Sequence, residues 1–312
     1  MENNVAIVQD LFRKTKVSID NLNTKFRYPE NIGHLLHLII PAFILKYGLS
    51  AEHKILRIFE SVPILIRDEH NEREQAFYTS MPRLQDGNIV TDKVIVLQNY
   101  QNIPLMSLLD NLVHEYNHAV NSFENEIMDQ GDTFTLRTGI CHIHYNKKTM
   151  QVIRKDDDYI LEEIINTKQT EEIIDIIHSF RTIPLSNTIA ATLYAIDSSI
   201  SGSYTSNAYG LQSYLCKELM KNRTFLATFS SLRFSGNIDD MDSWFDQIIG
   251  KKGSYKRFIA ILIRTTKLEQ EYEKTVFFKK MKLNQIRSLY QEAMQMIEVF
   301  NANCNYKYCS FF

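Results

Sequence analysis

Glycine and proline are scarce, ten and six of 312 residues, where average usage of about 7% and 5% would supply more than twice as many. Tight turns should therefore be few and helices long. Cysteine is scarcer still. Cys141, Cys216, Cys304 and Cys309 are too few and too scattered for a disulfide framework, and no CxxC pair offers a thiolate metal site. Reduced thiols in a cytoplasmic setting are expected. The opening segment, MENNVAIVQDLF, shows neither the basic stretch nor the apolar stretch and small-residue cleavage site of a secretory leader, so export by that route is not expected. Long apolar runs are missing as well. The longest, Leu38 to Leu45, contains Pro41 and falls far short of the roughly 20 residues of a membrane span, so it reads as a buried helix and no membrane partner is expected. Charge of one sign is also lacking: 35 basic against 37 acidic residues give a net charge of −2, which creates no general field for nucleic acid. Between Lys251 and Arg287, eleven Lys/Arg face three Glu. This stretch reads as a solvated helix face, with nucleic-acid binding as the weaker alternative.

What remains is an ordinary packed protein, 44% hydrophobic and 23% charged, at about twice the usual 150 residues per domain. Residues 1–60 carry helical periodicity through Ile7, Leu11, Leu35, Leu36, Ile39, Ile40, Phe43 and Ile44. The pattern then changes to short β-rich runs, Val62 to Arg67 and Lys93 to Leu97, with Gln75 to Thr79 and the turn signal Asp86-Gly-Asn88 between them. A helix is expected from about Pro104 to Phe123, then a hairpin over Thr133 to Ile153 turning near Asn146-Lys-Lys148, then a helix from about Tyr159. Helices follow almost exclusively. The expected class is α+β: N-terminal helices over 1–60, an α+β region over 61–185 with a small sheet, and a helical region over 186–312.

His114-Glu115-Tyr116-Asn117-His118 is HExxH, in which two imidazoles one helical turn apart bind zinc and the intervening Glu acts as general base. With 9 His in the chain, a shuffled sequence would contain the pattern with a probability of about 0.02. On a helical wheel Leu105, Leu108, Leu109, Leu112, Tyr116, Ala119 and Phe123 form one stripe. His114 and His118 lie opposite, with Asp110 and Asn121. A hydrolytic zinc site takes three protein ligands and keeps a fourth position open. The third ligand of the extended HExxHxxGxxH motif is absent, since no His follows His118 before His142. A carboxylate is favoured, and the Leu161 to Thr170 helix carries Glu162 and Glu163, between which periodicity cannot choose.

An HExxH helix, a connecting hairpin and a second helix bearing a Glu resembles the gluzincin, thermolysin-like metallopeptidases, and more closely a group of small bacterial HExxH proteins. In that group the second helix tends to read Leu-x-Glu-x-x-Asn/Thr-Glu-x-x-Thr, matched here by Leu161, Glu163, Asn166 and Thr170 and departed from at Thr167. The resemblance covers roughly 60–235 and implies a zincin-like fold, zinc held by His114, His118 and Glu163, Glu115 as general base, and a peptide or protein substrate. It also offers Tyr204, in Gly202-Ser-Tyr-Thr205, as an oxyanion donor, with Tyr209 and His178 as lesser candidates; on the residues alone, one of 16 Tyr at this position reads equally as a core aromatic. The expected function is a zinc-dependent peptidase of a bacterial cytoplasm. The rival is a non-catalytic HExxH regulatory or binding module. His142 and His144, two apart, read as edge-strand residues, and Lys93 to Leu97 as either a substrate-pairing edge strand or an ordinary one. The stripe Met241, Trp244, Phe245, Ile248 and Ile249 reads as core. Oligomeric state is not legible.

Overall fold

The computed structural model describes residues 2–67, 75–155, 158–199, 210–275 and 278–308. Its elements are helices α1 (Glu2–Phe26), α2 (Glu30–Tyr47) and α3 (Glu52–Ser61), strands β1 (Ile64–Arg67), β2 (Ala76–Gln85) and β3 (Asn88–Gln98), and helix α4 (Leu105–Ser122). Strands β4 (Ile127–Asp129), β5 (Thr133–Thr138), β6 (Cys141–Asn146) and β7 (Val152–Lys155) lead into α5 (Tyr159–Ser179). The remaining helices are α6 (Asn187–Ser198), α7 (Gly210–Met220), α8 (Arg223–Ser235), α9 (Asp239–Ile249), α10 (Ser254–Lys274) and α11 (Lys279–Tyr308). The class is α+β, with small sheets and a helical C-terminal half. Two compact units emerge, 1–120 with 166–205, and 121–165 with 206–312. Neither unit is continuous in sequence, because the chain leaves the first within α4 and re-enters it within α5. A linear division at 60 and 185 has no means of expressing that crossing.

In the first unit, α2 is buried along nearly its whole length, Leu38 to Ile44 included, as expected of a short apolar run containing Pro41. Among the described residues no single helix is long and apolar enough to cross a membrane. The first sheet has the order β1-β3-β2, with β1 parallel and β2 antiparallel to β3. Lys93 to Leu97 therefore lie in the central strand, which excludes their use as an edge for substrate pairing. The reason is burial: Ile95, Val96 and Leu97 are fully or almost fully inaccessible, as suits a strand covered on both sides. The β2–β3 hairpin turns at Asp86 and Gly87, both at positive φ (51° and 79°), the geometry of a type I′ turn.

In the second unit, β4-β5-β6-β7 form an antiparallel meander. The expected single hairpin is thus two. β5 and β6 are joined at Gly139-Ile140, with Gly139 at φ 59°, while the Asn146 turn joins β6 to β7. Positive φ at only the first loop residue is the type II′ signature, easily missed in Thr138-Gly-Ile-Cys141 because a single Gly is the whole signal. The helices enclose an aromatic core of Phe225, Phe229, Phe245, Phe258 and Phe300. Met241, Phe245 and Ile248 are buried in it, with Trp244 and Ile249 packed against it, as the stripe implied. Of the eleven basic residues between 251 and 287, all but Lys282 are exposed, and Arg257 and Lys282 pair with Glu292 and Glu271.

Two arginines, Arg137 and Arg233, are buried in this unit at 1% and 0% exposure. Arg137 donates to the carbonyls of Asn121 and Glu124 and so neutralises the end of α4, where the helix dipole favours a cation. Arg233 grips the buried Glu162 carboxylate, its Nε lying 3.0 Å from Oε2. The Ile140 N–H donates to the same oxygen at 3.0 Å. A methyl group at position 139 would collide with that carboxylate, and the backbone there is left-handed. Gly139→Ala should therefore cost about 2 kcal/mol or more, read as a lowered urea midpoint. A midpoint equal to wild type would show that the turn is not held against Glu162.

Candidate metal centre

Helix α4 has the helical stripe expected of it: Leu108, Leu109, Leu112, Tyr116 and Ala119 are buried, with Leu105 half-buried, as is Phe123 just beyond the helix end. Tyr116 stacks on Phe59 at 3.9 Å between ring centres, and its hydroxyl donates to the Val62 carbonyl. The opposite face is not a solvated one. Glu115 (8%), Asn117 (0%) and His118 (6%) are buried and His114 is half-buried. A helix buried all round must satisfy its polar side chains from neighbouring elements.

Those partners lie on α2 and α5. The Tyr47 hydroxyl donates to Asn117 Oδ1 at 2.7 Å, and Asn117 Nδ2 donates to Asn166 Oδ1 at 2.8 Å and Gln169 Oε1 at 3.2 Å. Asn166 Nδ2 in turn donates to the His114 carbonyl at 2.9 Å. All five residues belong to the first compact unit. They fasten α5 to the turn of α4 that carries His114 and His118. Glu163 stands less than one turn before Asn166 on the same unbroken helix.

His114, His118 and Glu163 each offer a ligand atom, and these atoms lie within 4.8 Å of one another. The two Nε2 atoms are 3.3 Å apart. Around a tetrahedral zinc with Zn–N of about 2.05 Å, the edge between two nitrogens is about 3.35 Å. The imidazole pair already has that spacing, and a carboxylate completes the His₂Glu donor set of hydrolytic zinc sites. The residues present fit the ion. Glu162 does not compete, because its carboxylate is engaged by Arg233 and the Ile140 N–H. Asp110 lies one turn before His114. Burial pushes its carboxyl above the ordinary value, against the opposing pull of His114.

Glu115 Oε2 accepts the Tyr78 N–H at 2.6 Å. The Gln85–Asn88 pair closes a two-residue loop, so odd-numbered β2 residues exchange hydrogen bonds with β3 and even-numbered ones turn their backbone groups to the outer edge. Tyr78 is on that edge, as is Pro82, whose missing N–H costs the ladder nothing there. The carboxylate between the two histidines is thus held against the outer edge of β2.

No family model, no curated protein and no solved structure matches this chain.

The other candidates fall elsewhere. Tyr204 and Tyr209 lie outside the described residues. His178 sits beside Arg181 at the far end of α5, about 22 Å along the helix from Glu163 at 1.5 Å per residue. His142 and His144 are on β6, an interior strand and not an edge; Thr135 and Arg154 approach the two His144 ring nitrogens at 3.0 and 2.9 Å. Tyr47, Asn117 and Gln169 are the residues around the site that no motif in the sequence singles out. Asn117 had a signal in its placement on the histidine side of the wheel, whereas Tyr47, seventy positions earlier, had none.

Truncating a ligand should cost more metal affinity than truncating a structural carboxylate. Glu163→Ala should weaken zinc by more than about 100-fold in chelator competition. Glu162→Gln should bind zinc near normally yet unfold more readily, since disturbing a buried ion pair is costly in stability, about 3–5 kcal/mol for outright loss of a partner. The reverse order would move the ligand to Glu162.

Proposed function

We propose that this chain is a zinc-dependent metallopeptidase of gluzincin type, working in a reducing, cytoplasmic compartment on a peptide or protein substrate. The observation that carries this reading is the 3.3 Å spacing of the His114 and His118 Nε2 atoms with Glu163 beside them. Zinc held by these three residues would supply Lewis acidity, lowering the pKa of water towards about 7 and polarising a scissile carbonyl.

The chain's own groups do the rest. Glu115 Oε2 is fixed by the Tyr78 N–H, which leaves Oε1 to take the proton of the attacking water and deliver it to the leaving amine. Asn117 and Asn166 hold the turn that carries the histidines, so their positions are set before substrate arrives. The outer edge of β2 offers backbone groups beside this carboxylate. Support for a reducing setting comes from Cys141, Cys216 and Cys304, all free thiols.

A second reading, a metal-holding module without turnover, draws on the same contact. A carboxylate 8% exposed and bound to a strand amide can serve as a structural anchor of β2 on α4.

Wild type should carry one zinc per chain by plasma emission, and His114→Ala or His118→Ala should lose most of it. Full stoichiometry in both variants would remove the site. Glu115→Gln separates the two readings: a peptidase keeps its metal and loses turnover on a mixed peptide library by orders of magnitude, whereas a module shows no cleavage in either form. Tyr204→Phe should slow the chemical step by about 10²–10³ with an unchanged melting temperature if Tyr204 donates to the oxyanion. A stability loss with normal turnover would make it a packing residue.

A further inference from the structure

Helices α10 and α11 run antiparallel, since Arg257 pairs with Glu292 and Lys282 with Glu271. The tip they share breaks three local rules at once. Phe278, just before α11, has a left-handed backbone with φ 66°, a region that bulky side chains avoid. Its side chain is 72% exposed, more than any other Phe, Leu, Ile, Met or Val among the described residues, and Met281, three positions on, is 53% exposed. The first turn of α11 carries Lys279, Lys280 and Lys282 and no acidic residue, although the positive end of a helix dipole disfavours cations.

These features lower stability, and such departures collect where a chain does something besides fold. The lysines are mostly unanswered within the protein. Lys282 is balanced by Glu271 at 2.7 Å, and Lys279 lies over the Tyr272 ring at 5.2 Å. Among the described residues, Lys279, Lys280 and Lys274, the last residue of α10, make no ion pair. Farther back on α10, Arg264 and Lys267 are exposed as well. Of the acids nearby, Glu271 is paired, Glu269 accepts from Gln212 at 2.9 Å, and Glu273 alone is left to oppose these cations.

Apolar side chains ringed by lysines match an anionic bilayer, whose headgroup phosphates take the ammonium groups while the hydrocarbon enters the acyl boundary. A second copy of this chain would set like charges against each other, and a duplex nucleic acid would answer the lysines alone. We propose that the α10–α11 tip docks the protein peripherally on an anionic lipid bilayer, Phe278 and Met281 entering the interface and Lys274, Lys279 and Lys280 holding lipid phosphates. No membrane span is involved, and the site stands whether or not His114, His118 and Glu163 carry zinc.

Co-sedimentation of the full chain with vesicles tests it. Phosphatidylcholine vesicles containing about 30% phosphatidylserine should bind at least about tenfold more tightly than phosphatidylcholine alone, and less so as salt rises. Phe278→Asn, a residue that tolerates the left-handed region, should keep or raise the melting temperature while weakening vesicle binding by about tenfold or more. Met281→Ser and Lys280→Glu should weaken it too, and His114→Ala should not. Binding to neither vesicle, equal binding to both, or an unchanged affinity in Phe278→Asn would each overturn the proposal. Tighter binding of a duplex RNA, or a dimer that Phe278→Asn dissociates, would overturn it in favour of those occupants.

Discussion

The side-chain amide of Asn117 is fully buried, and where its hydrogen bonds go decides the geometry of the α4 turn that carries the candidate metal ligands His114 and His118. Left unsatisfied in the interior, an amide would cost several kcal/mol. Placed against Asn166 and Gln169, it binds α5 to α4 at the level of the histidines, while Tyr47 closes its remaining acceptor. Because Asn166 also holds the His114 carbonyl, one amide pair fixes both the ligand-bearing turn of α4 and the register of α5.

The same economy separates the two adjacent glutamates. Consecutive helical residues diverge by about 100°, so Glu162 and Glu163 cannot share a role. Glu162 turns to Arg233 and the Gly139-Ile140 turn, in a low-dielectric interior where a buried carboxylate needs a paired cation. Glu163 turns to the histidines. One carboxylate is engaged in an ion pair and the other belongs to the candidate metal cluster.

Much of this was legible in the sequence, and the reasons are local. The HExxH spacing, the stripe of α4, the run of α2 and the aromatic stripe of α9 are periodic signals that depend only on near neighbours. What could not be read depends on residues far apart in the chain. Arg137 and Arg233 carry no mark of burial, since a guanidinium in a helical or strand pattern ordinarily reads as surface. Which residues cover the polar half of α4 is not written in its own periodicity, since Tyr47 and Gln169 come from distant elements. Lys93 to Leu97 reads as an edge or a centre until strand order is known, and the crossing of the chain between compact units within α4 and α5 leaves no compositional trace. The choice between Glu162 and Glu163 was open to periodicity and was favoured only by the Leu161-x-Glu163-x-x-Asn166 resemblance; the hydrogen bonds of Asn166 give that pattern a physical meaning.

The proposed zinc site consists of two imidazoles and one carboxylate. X-ray absorption at the zinc edge on the metal-loaded protein examines that donor set directly. The predicted spectrum has only nitrogen and oxygen neighbours, at about 2.0–2.2 Å, with the multiple-scattering pattern of two imidazoles. A sulfur shell near about 2.3 Å, or scattering from a single imidazole, would contradict it.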